Sequence, residues 1–183
     1  MTTPDTQDDG TQWSIELQHR ADDVAFPFLE VPDRDVARGL LAGHGLSAAV
    51  VDDLIDWIGR IGDGLQRTRG LIRVGRLGDQ AVFVVLTVRV SETSVPVDGL
   101  TVVSRGVNDE TGPFDVHSTD YLGYGNRVVV SRTAILAGSG GVTLAIVGES
   151  TAIAVGQALT EAVVQLASTA RVREVGKSGF EQP

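Results

Sequence analysis

Three stretches of the chain hold residue types that could do chemistry. The first, 148–152, reads Gly-Glu-Ser-Thr-Ala and approximates the G-x-S-x-G of a nucleophile elbow. It follows an apolar run and precedes a helical pattern, the context in which a sharp turn exposes a serine hydroxyl. Ser150 would then be the nucleophile of a small serine hydrolase. Two features weigh against that. The fifth position is Ala152, and His19, His44 and His117 all precede Ser150, whereas the base histidine of such enzymes follows the serine. The same Ser150 or Thr151 reads as a helix cap, its oxygen accepting from free backbone N–H groups, and this is the reading adopted.

The second stretch, 115–121, reads Asp-Val-His-Ser-Thr-Asp-Tyr. Carboxylates beside a histidine can bind a metal or move a proton. His117 has no second histidine at helix-face spacing, and the segment reads as a loop, so neither role is assigned. The third stretch, 121–125, holds both tyrosines of the chain between glycines. Aromatics on a flexible loop suit protein recognition; packing over the sheet edge is the plainer alternative. Tyr121, Tyr124, Asp120 and His117 are therefore the expected protein-binding residues, with no catalytic, cofactor-binding or metal-binding residue expected. The glycine-rich run 137–141 lacks a lysine and joins two strands, so it reads as a hairpin turn and not as a phosphate cradle. His44, between Gly43 and Gly45, reads as a turn residue, and His19 as a strand-end surface residue.

Composition narrows the partners. With 183 residues, 42% of them hydrophobic, the chain is long and apolar enough for one domain with a real core. The 24 acidic residues against 15 Lys plus Arg give a net charge of −9, which disfavours nucleic acid and anionic membranes and favours a basic protein partner. No cysteine is present, which removes disulfides, thiolate metal sites and cysteine nucleophiles. The first dozen residues lack a basic region and an apolar core, and no apolar run suits a membrane span, so a soluble, cytoplasmic protein is expected.

The elements that must position these residues are organised around 141–175. Val142, Leu144, Ala145, Ile146 and Val147 form a buried strand. Val155, Leu159, Val163, Leu166 and Ala170 then mark one face of a helix, and 170–175 reads as a short closing strand. Upstream, 1–11 is polar and acidic and reads as a disordered tail. Trp13, Ile15 and Leu17 alternate as a first strand, and the Pro-punctuated 26–32 suits an edge strand or an extended arm. Asp33 opens a short helix over 35–42. A longer helix from Leu46-Ser47 carries the stripe Val50, Leu54, Ile58, Ile61 and Leu65, with its acidic residues on a solvated face. Segments 71–76 and 81–90 read as a hairpin, followed by strands over 100–107 and 126–136. Residues 176–183 read as a mobile tail, leaving a single domain over 12–175. The order of elements argues for an α+β fold, a mostly antiparallel sheet with helices packed on its faces.

A resemblance enters at 144–151 (Leu-Ala-Ile-Val-Gly-Glu-Ser-Thr), the following helix, and 168–172 (Ser-Thr-Ala-Arg-Val). With 28–32, 70–72 and 82–90 added, this pattern resembles small actinobacterial proteins of PsbP/Mog1-like fold. The chain departs from that pattern at Ala152, where a proline usually follows Ser-Thr. The resemblance implies an αβα sandwich that binds proteins without catalysing a reaction, as a secretion-associated accessory or immunity factor. It implies no cofactor. The expectation is thus a non-enzymatic interaction module. The alternatives are a small serine hydrolase and a small-ligand carrier, and homo-oligomerisation is left open.

Overall fold

The computed structural model describes residues 12–18, 24–26, 35, 38–39, 44, 46–62, 68–77, 80–91, 99–123, 126–137 and 141–175. The expectations on the two tails, on Tyr124 and His19, and on most of 26–45 lie outside them.

Nine strands form two antiparallel sheets among the described residues. The larger sheet takes the order β2 (Val24–Phe26), β3 (Thr68–Leu77), β4 (Gln80–Ser91), β8 (Thr143–Ser150), β7 (Val128–Ala137), β6 (Gly112–Leu122) and β5 (Thr101–Asn108). The smaller is a ribbon of β1 (Gln12–Glu16) and β9 (Arg171–Val175). Helix α1 spans Ala48–Gly62; a 3-10 turn, η1, spans Ile153–Val155 and leads into α2 (Gly156–Thr169). The class is α+β, as the sequence implies.

The apolar run of the organising stretch is the middle strand of the seven, β8, held by β4 on one side and β7 on the other. A strand so placed needs apolar side chains toward both faces. Leu144 and Ile146 face α2, Ala145 faces the opposite side, and all three are at most 3% exposed. β4 repeats the pattern, with Leu86 and Val88 toward α2 and Val85 and Thr87 away from it. At its two central strands, β4 and β8, both faces of the sheet are therefore covered.

On the α2 face the core is aliphatic. Leu86, Val88, Val116, Val130, Ala134, Leu136, Leu144 and Ile146 pack under Leu159, Ala162, Val163 and Leu166. Each such side chain withdrawn from water contributes about 1.5–3 kcal/mol. All five residues of the expected α2 stripe, from Val155 to Ala170, are buried. Gly148 lies across from Leu86, where an added Cβ would sit 2.7 Å from Val163 and 2.8 Å from Leu159. Its lack of a side chain lets α2 come down onto the sheet. The β1–β9 ribbon closes the core with Ile15 and Val172, which face each other in register.

Asn108 fixes the far end of α2. It is 3% exposed, and its Nδ2 donates to the carbonyls of Ala167 (2.7 Å) and Ala170 (2.9 Å). Its Oδ1 accepts from the N–H groups of Glu110 (2.9 Å) and Thr111 (3.0 Å). One side chain thus satisfies carbonyls that a helix C-terminus leaves unpaired, and also shapes the β5–β6 turn.

Helix α1 begins as expected, with the Ser47 hydroxyl accepting from Val50 N–H at 3.4 Å. Among its described side chains Val51, Leu54 and Ile55 are buried and Val50 is only half-buried, one position off the expected face; Ile58, Ile61 and Leu65 lie outside the described side chains. No acidic residue occupies its first turn. Asp52 instead accepts from Arg38 at 2.7 Å.

Candidate functional site

The segment 115–121, read from sequence as a loop, is the body of strand β6. The reason lies in its register. Phe114 and Val116 point into the α2-face core, with Val116 directly opposite Ala134. Beyond Val116, polar residues occupy both parities, so the alternation that marks a strand vanishes from the sequence. This correction divides the expected binding residues. Asp120 projects on the α2 face with Val130, whereas His117 and Tyr121 project on the other face with Thr133 and Val129.

β6 and β7 form a hairpin closed by Gly123 N–H donating to Arg127 C=O at 2.9 Å. Asn126 lies in the left-handed region at φ 55°, which asparagine tolerates better than most residues. At this tip Tyr121 is 39% exposed, Leu122 71% and Val128 43%. Leu122 and Val128 are cross-strand partners, so they present one apolar surface. η1 packs against β7, and its Ile153 is 65% exposed. Next to them, Asp120 lies 3.3 Å from Arg132, whose guanidinium also donates to Ser118 Oγ (2.8 Å) and Thr160 Oγ1 (3.1 Å). Arg132 thereby ties β6, β7 and the start of α2 together. The tip is an apolar corner on a rigid base with an acidic margin.

The second face of the sheet differs in chemistry. Tyr121 OH donates to Glu149 Oε1 at 2.6 Å, reaching from β6 to β8 across β7. Burial pushes the Glu149 carboxyl above the usual carboxylate range, and the Tyr121 hydroxyl and the charge of Arg89 pull it back only in part. Burial, followed by the bond to Glu149, likewise raises the Tyr121 phenol, and burial lowers Arg89. Farther along β6, His117 is 9% exposed and its Nδ1 has no hydrogen-bond partner among the described residues. Leaving such an atom unpaired costs about 1–3 kcal/mol. His117 is therefore a nearly buried strand residue and not an exposed loop residue.

Ser150 is not exposed at an elbow. It ends β8, is 1% exposed, and its hydroxyl donates to Phe83 C=O at 2.8 Å while accepting from Ala152 N–H at 3.2 Å. Nor does it cap α2. The cap residues of η1 and α2 are Ala152 and Val155, and neither helical start has a side-chain cap. The strand runs farther than its apolar residues suggest, because Glu149 and Ser150 still pair with Ser131 and Val130. Ser150 therefore anchors the turn between strand and helix.

The strands flanking 137–141 pair as a hairpin, as expected, and Gly141 adopts φ 80°. His44 is half-buried. Among the described residues no three His, Cys, Asp or Glu side chains converge to hold a metal, and no helix is long and apolar enough to cross a membrane. At the end of α2 remote from the hairpin tip lies a polar cleft of about 170 Å³, lined by residues including Gln18, Asn108, Glu110 and Arg171. Arg171 and Glu110 are 3.3 Å apart there. Sequence reading missed Leu122, Val128 and Ile153: Val128 opens the apolar run 128–130, whose other two members are buried, and Leu122 and Ile153 stand in short segments without a period. It also missed Glu149, which the elbow reading treats only as a spacer. Compared with family models, with curated proteins and with solved structures, the chain matches none.

Proposed function

We propose that the chain is a non-enzymatic protein-interaction module of the PsbP/Mog1-like type, acting in the cytoplasm and docking its partner at the β6–β7 hairpin tip. The observation that carries this reading is the exposed cross-strand pair Leu122 and Val128, with Ile153 exposed on the η1 turn that packs against the same strand β7. Isolated exposed apolar side chains are ordinary, but a grouped set beside a charged margin is the composition of an interface. The base beneath it is rigid, since Arg132 and the Tyr121–Glu149 bond fix both faces of the hairpin. Asp120 at the margin and the net charge of −9 favour a partner with basic residues around an apolar anchor. An antiparallel sheet whose middle strand feeds the packed helix is the feature that supports the fold-family part of the proposal. A role as a secretion-associated accessory or immunity factor follows from that part alone.

The test is substitution at the tip. Leu122→Arg combined with Ile153→Arg introduces repulsion toward a basic partner and leaves the core untouched. Binding should fall at least 10-fold, about 1.4 kcal/mol or more, with an unchanged thermal midpoint. Retained binding would refute the assignment of the tip.

A further inference from the structure

The face of the sheet turned away from α2 carries polar side chains where a covered face usually carries aliphatic ones. On β6 and β7, His117 stands opposite Thr133, and Thr119 stands opposite Ser131, forming a square of four polar residues. His117 and Ser131 are buried, at 9% and 4% exposure, and His117 Nδ1 is without a partner among the described residues. Buried polar atoms in folded proteins are paired almost without exception, and those that are not call for a cause. The square spans roughly 7 Å along the strands by 5 Å across them, from ordinary strand spacings. Two paired sets bound it along β6. At one end Arg105 Nε donates to Asp115 at 3.0 Å; at the other Tyr121 donates to Glu149 at 2.6 Å, with Arg89 acting on the same carboxylate.

We infer that this face holds a binding site for a small uncharged molecule carrying hydroxyl or carboxamide groups, anchored on His117 Nδ1 and the hydroxyls of Thr119, Ser131 and Thr133. The charge state of the ligand follows from the neighbours. Each bounding carboxylate already has a donor, so the floor offers no free counter-charge. A charged ligand would lose its hydration without an opposite charge to replace it, whereas a neutral one only exchanges hydrogen bonds. Hydroxyls that both donate and accept, beside an imidazole that can do either, match groups of the same double character. This site is independent of the hairpin tip. It faces away from Leu122 and Val128, and failure of the docking proposal would leave it standing.

The imidazole nitrogens of His117 report directly on the site in long-range proton–nitrogen spectra of the full chain, assigned with His117→Gln. Glycerol, ribose and acetamide serve as neutral probes, and sodium acetate and methylammonium chloride as charged ones. At least one neutral probe should shift the His117 Nδ1 resonance saturably, while the charged probes leave it in place. Thr133→Val, which keeps the side-chain shape and removes the hydroxyl, should weaken that titration at least 10-fold. Ile153→Arg should leave it unchanged. If His117→Gln does not fold, the Thr133→Val comparison carries the test alone. Absence of a saturable shift with every neutral probe, an equal response to the charged probes, or an unaltered titration in Thr133→Val would each overturn the inference.

Discussion

Asn108 performs with one amide what helices usually do with a glycine or a lysine. Its two donors meet the carbonyls of Ala167 and Ala170, and its oxygen meets two N–H groups of the β5–β6 turn. Asn108→Ala removes four hydrogen bonds in a buried position and should cost about 2–4 kcal/mol in urea unfolding. Asn108→Asp should cost more at neutral pH, since it sets a negative charge against the negative end of α2. Glu149 is the second residue with a distinct signature. Burial raises its folded-state pKa, so the native chain holds this proton more tightly than the unfolded one. Its contribution is therefore most favourable below the unfolded value and is lost as pH rises through the raised folded value. Glu149→Gln keeps the acceptor for Tyr121 and removes the titration. The variant should gain stability relative to wild type as pH climbs from acid to neutral, a trend measured by unfolding at a series of pH values. A constant difference across that range would show that Glu149 does not titrate in this way.

At the scale of elements, α2 is the keystone of the aliphatic face. Leu159 and Leu166 are fully buried between helix and sheet. Leu159→Ala should destabilise by about 2–5 kcal/mol through lost burial and the cavity left behind, read from the urea midpoint. This element was legible in the sequence because a period of four, four, three and four apolar residues has one physical reading. The middle strand and the β3–β4 hairpin were legible for similar reasons: a continuous apolar run, and two β-branched runs around a Gly-Asp turn. The β6 strand was not, because its outer half has no covered aliphatic face and so leaves no period to detect. The start of α2 was misplaced because Ser150 has the residue type of a cap, yet its hydroxyl donates to the Phe83 carbonyl instead. The pairing of β1 with β9 joins opposite ends of the described fold, and short strands leave no local trace of such a contact. The apolar corner was illegible for another reason. Leu122 and Val128 come together only through register, and Ile153 is carried on the η1 turn against β7, while the tyrosine loop was visible from its composition.

At the scale of the whole molecule, a net charge of −9 acts on encounter more than on fold. Association with a basic partner should slow as ionic strength rises, because screening shortens the reach of the field to about 8 Å at physiological salt. The apolar corner then sets the lifetime of the complex, so the two contributions separate in the on-rate and the off-rate. The most direct measurement compares tagged wild-type chain with the Leu122→Arg, Ile153→Arg variant as baits in lysate of the native host. Retained proteins are quantified by mass spectrometry, and the folding of both baits is checked by thermal unfolding. The expected result is one protein retained near one-to-one by the wild type, weakened by salt, and lost with the variant at an unchanged thermal midpoint. Equal retention by both baits, or no stoichiometric protein on the wild type, would contradict the hairpin tip as a docking surface.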